Sequence, residues 1–285
     1  MPIKQLLTAR DEEILKAVHY YRYVTARDIA HQQLSKSSLN YTRELMARLS
    51  GNTNLDHNNY LCRFDRPATG RQRPEQVFVL GAKGKRLLQG MGIPAAWYFR
   101  PHKLKFLSYG YVIHNLILAR TMIAAAQWAK PHPTYSLSDK RICYELHGKV
   151  IPDGWLRFSE QASDGTYAQP VIIELDRGME YRDKFRAHVR GRINYIQSGE
   201  YTKTFNTKVV TIAYLTTGQT PEYRIQRQKT MCVWIQELLK EMRLEDWAGV
   251  FRVASVEFQH LYDNSLFEEE VWYRPDQEKA VPLFS

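Results

Sequence analysis

Apolar positions recur at helical spacing from the start of the chain. Ile14, Leu15 and Val18 make a stripe behind Thr8-Ala9-Arg10-Asp11-Glu12. Thr8 is placed to cap a helix there, and Asp11, Glu12 and Glu13 lie in its first turns, where the dipole favours anions. After Tyr23 and Val24, Thr25 heads a second helix over residues 26–33, with Ile29 and Ala30 turned inward. A polar turn leads into a third helix over residues 39–49, in which Leu45, Met46 and Leu49 share one face. Lys36, Ser37, Asn40, Tyr41, Arg43 and Arg48 are left for the turn and the outer faces. Residues 60–64 and 76–80 read as two strands of a hairpin, and a further helix begins at Gly81. The hairpin tip, residues 65–74, contains Gly and Pro and carries Arg66, Arg71 and Arg73.

Two helices joined by a short turn, the second polar outside, followed by a basic-tipped hairpin, is the winged helix-turn-helix layout. It puts Lys36, Ser37, Asn40, Tyr41 and Arg43 at a DNA groove, and Arg66, Arg71 and Arg73 on the backbone or minor groove. The same layout also serves protein contacts.

The pattern breaks at residues 91–95, and residues 98–105 read as a connector. One long helix is expected over residues 107–128, with Val112, Leu116, Ala119, Ile123 and Ala126 apolar. His114 inside it reads as a hydrogen-bonded core residue. Beyond Pro131 and Pro133 come short strand candidates at residues 134–137 and 141–146. A strand over 149–158 carries Asp153, and a polar loop spans 159–169. Residues 170–176 are apolar enough for a buried strand and carry Glu174 and Asp176. A helix (180–197), a strand (208–215), a helix (223–242) and a strand (250–258) follow. Strands alternating with helices in this order predict an α/β sandwich. The expected domains are residues 1–95 and 104–285, and 285 residues suffice for two cores. There is no internal repeat and no low-complexity tract.

Composition adds limits. Apolar residues make up 44% of the chain, too many for wholesale disorder, and no apolar run is long enough to span a membrane. The opening residues carry acids where a secretory signal would be apolar, so a cytoplasmic protein without a membrane partner is expected. Cys62, Cys143 and Cys232 are too scattered for a zinc site and read as buried thiols. The net charge is +10, and it is unevenly spread. Residues 1–100 hold 16 Lys and Arg against 8 Asp and Glu, whereas residues 101–285 hold 24 against 22. Such an excess attracts phosphate backbones with salt-sensitive affinity, although it also serves solubility. Double-stranded DNA is the expected partner.

The candidate chemistry lies in Ile151-Pro152-Asp153-Gly154 and Ile172-Ile173-Glu174-Leu175-Asp176-Arg177-Gly178. Two acids on neighbouring strands meet the first need of a metal-dependent phosphodiesterase, a grip on Mg²⁺ or Mn²⁺ that activates water. Asp176 is a third oxygen donor. Arg182, Arg186 and Arg190 recur every four residues and form either a phosphate track or a solvated helix face. Pro-Asp-Gly is also an ordinary turn signal.

The element order with Pro152-Asp153 and Glu174-Leu175-Asp176 resembles the PD-(D/E)xK nuclease superfamily, the restriction-endonuclease-like fold, over roughly residues 107–258. The resemblance implies catalytic and metal-binding roles for Asp153, Glu174 and Asp176. It also exposes a departure, because Asp176 stands where that superfamily has a lysine. Lys184 of the following helix is the candidate replacement, with Arg177 and Arg182 behind it.

Nearly the whole chain also resembles the replication-relaxation family of plasmids and other mobile elements. The likeness is carried by LTARDEEIL, VTARDIA, RELMARL, VFVLGAKGKRLL, HNLILAR, IPDG and IIELDRGMEYRDKFRAHVRGRINYI. It implies a part in replication initiation and DNA relaxation, and puts Pro152, Asp153, Gly154, Glu174, Asp176, Arg177 and Gly178 in the family motifs. The expectation is a DNA-binding protein of a mobile element, with a homodimer and replication proteins as further partners. An active endonuclease or nickase would bring Asp153, Glu174 and Lys184 together. A non-enzymatic transcription regulator would show an apolar self-complementary surface and no acid cluster. The tail after Phe258, with Glu268, Glu269 and Glu270, reads either as a partner contact or as packing on the body.

Overall fold

Thr8 and Thr25 start the first two helices in the same way. The string Thr-Ala-Arg-Asp occurs at both places, and both form a capping box at the head of α1 (Ala9–Tyr21) and α2 (Ala26–His31). The Thr8 hydroxyl accepts from Asp11 N at 3.2 Å while Asp11 Oδ2 accepts from Thr8 N at 2.9 Å. Thr25 and Asp28 repeat the exchange. Each aspartate is fully buried and spends its other oxygen on a distant arginine. Arg48 reaches Asp11, and Arg120 Nε donates to Asp28 Oδ1 at 2.9 Å. Arg48, expected on an outer face, is therefore turned inward because a buried carboxylate needs a partner.

The computed structural model describes residues 7–32, 38–51, 59–65, 75–95, 98–100, 107–143, 145–178, 180–218, 220–258, 261 and 265–284. Lys36, Ser37, Arg66, Arg71 and Arg73 lie outside the described residues. The chain divides into two compact units, Met1–Ile123 and Ala124–Ser285, with the boundary inside the helix α5 (Tyr109–Ala129). Among the described residues no helix is long and apolar enough to cross a membrane.

In the first unit α3 (Leu39–Ser50) is capped by Ser38 and buries Thr42, Leu45, Met46 and Leu49. A three-stranded antiparallel sheet runs in the order β1 (Val24–Thr25), β3 (Gln76–Leu80), β2 (Leu61–Asp65). Helix α4 (Ala82–Gly90) follows β3 directly. It lies so close to the residue that precedes β2 that a Cβ on Gly84 would fall 2.3 Å from the Tyr60 carbonyl oxygen.

The second unit is built on a seven-stranded mixed sheet. Its strands are β4 (Tyr135–Ile142), β5 (Gly154–Ala162), β6 (Gly165–Asp176), β7 (Thr211–Thr216), β8 (Phe251–Ser255), β9 (Trp272–Tyr273) and β10 (Ala280–Val281), ordered β10-β9-β8-β7-β6-β5-β4. The central β6, β7 and β8 run parallel, while the flanking pairs are antiparallel. One face is covered by α6 (Arg182–Gln197), α7 (Glu200–Phe205) and α8 (Pro221–Met242). Their apolar positions Phe185, Val189, Ile193, Phe205, Met231, Ile235 and Leu238 meet Trp155, Ile172, Ile212 and Phe251 of the sheet. On the other face Trp128 stacks on Phe267 and Phe284 and meets Phe158 edge-on.

Two stretches differ from expectation, and the tail takes one of the two courses left open for it. Strand β4 is one strand with an irregularity between Leu137 and Asp139 rather than two short ones. Residues 159–169 are not a loop, because β5 and β6 continue, paired as far as Ala162 and Gly165. Their outer ends carry side chains that are exposed or only half-buried, so no apolar alternation marks them. The tail packs on the body of this unit. Trp272 is buried, its Nε1 donates to the Leu266 carbonyl at 2.7 Å, and α9 (Ser265–Glu268) buries Leu266 and Phe267.

Candidate functional site

Strand β6 carries the two acids on one face. Side chains alternate along a strand, so Ile172, Glu174 and Asp176 point to the side covered by α6 and α8. Glu174 pairs in register with Tyr214 of β7, and Asp176 with Thr216. Asp153 immediately precedes β5, where strand pairing to β6 stops, and its Oδ2 accepts the Leu175 backbone N–H at 2.8 Å. The Pro-Asp-Gly aspartate therefore closes the end of the ladder.

Each β6 acid has an arginine from a covering helix. Arg192 Nε of α6 donates to Glu174 Oε1 at 2.5 Å, and its Nη2 donates to the Ile151 carbonyl. Arg227 Nε of α8 donates to Asp176 Oδ2 at 2.6 Å, its Nη2 donates to the Glu180 carbonyl, and its guanidinium lies 4.8 Å from the Trp234 ring centre. Burial pushes the Glu174 carboxyl up to about 7, against the pull of Arg192, and the charge of Asp153 adds to the rise. Burial also holds the Tyr214 phenol well above its usual range, with Glu174 contributing. Among the described residues Asp176 Oδ1, Thr216 Oγ1 and the Tyr214 hydroxyl are buried without a hydrogen-bond partner.

This donor set does not fit a divalent cation. Mg²⁺ and Mn²⁺ need several converging oxygens, yet among the described residues no group of three or more His, Cys, Asp or Glu side chains converges to hold a metal. A guanidinium nitrogen holds one oxygen of Glu174 and one of Asp176. Lys184 is on the surface, 65% exposed at its side chain, and its Nζ pairs with Glu180 Oε1 at 2.9 Å. His188 approaches the other oxygen of Glu180. Asp153 and Glu174 are thus neighbours, Asp176 follows one pleat along β6, and Lys184 is engaged elsewhere.

The arginines of α6 are also paired. Arg182 Nη2 meets Glu237 at 2.7 Å, Arg186 pairs with Glu241, and Arg190 lies 3.8 Å from the same Glu241. The stripe read from the sequence therefore binds α6 to α8. On α3, by contrast, Asn40, Tyr41 and Arg43 are exposed in the first two turns. Arg43 Nη1 donates to Asn40 Oδ1 at 3.1 Å, and the Arg10 guanidinium lies over the Tyr41 ring.

Sequence reading missed Arg192 and Arg227. A signal existed, because both fall on apolar helix faces. Arg192 is seven residues after Phe185 and three after Val189, and Arg227 is four residues before Met231. An arginine at an inward helical position needs a buried acid.

No curated protein matches the chain. The replication-relaxation family model matches residues 15–211, a span running from α1 to the first residue of β7 and including both acid motifs. The chain belongs to the replication-relaxation family.

Proposed function

We propose that this protein is a DNA-binding component of plasmid or mobile-element replication, with a winged helix-turn-helix in the first unit and a nuclease-like α/β body in the second. The observation that carries the reading is α3. Its inner face is apolar and buried, its first two turns present Asn40, Tyr41 and Arg43 to solvent, and the β2–β3 hairpin belongs to the same unit. Asn and Arg are side chains that read base edges and phosphates. In this reading Lys36, Ser37, Arg66, Arg71 and Arg73 add contacts from the turn and the wing. In this reading the second unit is a binding body rather than a nuclease; what supports it is that each β6 acid is paired with an arginine, that no metal-holding group of three converges among the described residues, and that Lys184 pairs with Glu180.

Duplex DNA and replication proteins are the partners. A homodimer has an apolar surface available to it on α8, where Ile225 and Val233 are each 49% exposed.

The test is a titration of labelled duplex across a salt series, beside a cleavage assay on supercoiled plasmid with Mg²⁺ and Mn²⁺. Salt-sensitive binding that weakens in Arg43→Ala and Asn40→Ala, with no nicking, is the expected result. Nicking abolished by Asp153→Ala and Glu174→Ala would overturn the non-cleaving part.

A further inference from the structure

No acidic residue occurs between Glu75 and Asp139, whereas Lys83, Lys85, Arg86 and Arg100 fall within that stretch. We propose that α4 and Arg100 form a second phosphate-binding surface for DNA on the first unit, separate from the exposed turns of α3. The proposal rests on the DNA-binding reading and deepens it.

Three of the four cations are held by a ring, and none is neutralised by an ion pair with a described residue. Lys83 Nζ lies 4.2 Å from the Tyr60 ring centre, Lys85 Nζ lies 5.2 Å from that of Tyr98, and Arg100 lies 5.6 Å from the same Tyr98 ring. A ring face positions a cation without cancelling its charge. Lys83, Arg86 and Arg100 are exposed, and none of the four makes an ion pair with a described residue. Arg182, Arg186 and Arg190 of α6 differ, since each meets a glutamate of α8. Helix α4 itself has no acid to balance its lysines, although acids are what a helix start favours. A merely solubilising face usually mixes signs.

The mount is rigid and its place is defined. Gly81 N donates to the Tyr60 carbonyl at 2.9 Å, and both Gly81 and Gly84 lie against the backbone of residues 59–60 too closely for a Cβ. Asn59 Nδ2 in turn donates to the carbonyl of Ser50, the last residue of α3. Helix α4 therefore starts at the C-terminal end of α3, whereas Asn40, Tyr41 and Arg43 lie near its N-terminal end. Twelve helical residues span about 18 Å. Side chains three apart on a helix, as Lys83 and Arg86 are, sit about 5–6 Å apart at Cβ. That spacing suits neighbouring phosphates of one strand.

The test uses the full chain and a labelled random-sequence duplex, with anisotropy read over a KCl series. The variants are Lys83→Ala with Arg86→Ala, the matching double glutamate, and Arg43→Ala for α3. Loss of two phosphate contacts lowers the slope of log affinity against log salt by about 2 and weakens binding alike on every sequence. The double glutamate is expected to weaken binding further, with unchanged circular dichroism and melting because both side chains are exposed. If the α4 variants keep the wild-type slope while Arg43→Ala lowers it, the second surface is refuted and the α3 reading stands. If wild type binds no DNA, both fall. Binding of polyglutamate that equals duplex binding and shares its dependence on Lys83 and Arg86 would show an acidic-protein site instead, and would also overturn the proposal.

Discussion

Arg227 of α8 reaches Asp176 of β6 across 51 residues of sequence, and side-chain exposure at the pair is only 10% and 3%. Removing one member of a buried pair leaves the other charged without a partner, which costs about 3–5 kcal/mol. Arg227→Ala is expected to lower the unfolding free energy of the second unit by that amount, read from its urea transition. Asp176→Asn combined with Arg227→Met is expected to recover most of the loss. A single variant as stable as wild type would mean that solvent reaches Asp176.

Glu174 makes the stability of the second unit depend on pH. Its folded carboxyl is raised to about 7 from 4.5, so the folded state holds the proton more tightly than the unfolded state. The contribution is full below 4.5 and is lost as pH rises through about 7. Each unit of displacement is worth about 1.4 kcal/mol, so the amplitude is a few kcal/mol. Glu174→Gln is expected to flatten the denaturation midpoint between these limits. An equally sloping variant would assign the pH dependence to another group.

Asp11 works with the opposite sign. Burial works against its charge, but Arg48 and the Thr8 backbone and hydroxyl outweigh that and hold its carboxyl below the ordinary value of 3.8. Its stabilisation is present above 3.8 and is lost as pH falls through the lower folded value. Asp11→Asn is expected to make the first unit less stable at neutral pH and less acid-sensitive, as followed by tyrosine fluorescence. Thr8→Ala loses only the cap, about 1 kcal/mol.

Two glycines are expected to respond in opposite directions. A Cβ on Gly84 would meet the Tyr60 carbonyl oxygen at 2.3 Å and Leu80 Cδ1 at 2.8 Å. Gly84→Ala should therefore cost about 1–3 kcal/mol through forced backbone movement. Nothing lies within 4 Å of the Cβ position at Gly191 in α6, where alanine should gain about 0.5–1 kcal/mol. Melting of both variants beside wild type checks the pair.

Much of the element order was legible because apolar side chains mark it. Leu45, Met46 and Leu49 give α3, and Val171, Ile172 and Ile173 give the buried part of β6. The outer ends of β5 and β6 were not legible, because Thr166 and Tyr167 are exposed and are held by strand pairing and by side-chain hydrogen bonds to Gln161 and Asp164 rather than by burial. Helix α7 has only Tyr201 and Phe205 to announce it in six residues. At the acid site Asp153 and Glu174 were legible as a pair because local strand pairing joins them. Their arginines come from separate helices, and no spacing rule links Glu174 to Arg192 or Asp176 to Arg227.

The doubled Thr-Ala-Arg-Asp start has a consequence for how the first unit opens. Nucleating a helical turn is ordinarily a local event, and helix ends fray independently of the rest of a protein. Here the carboxylate that closes the first turn of α1 also holds α3, and the one that closes α2 also holds α5. Neither turn can unravel without giving up a long-range tie. Amide hydrogens at these two helix starts should exchange with solvent only when the whole unit unfolds, at a single shared rate.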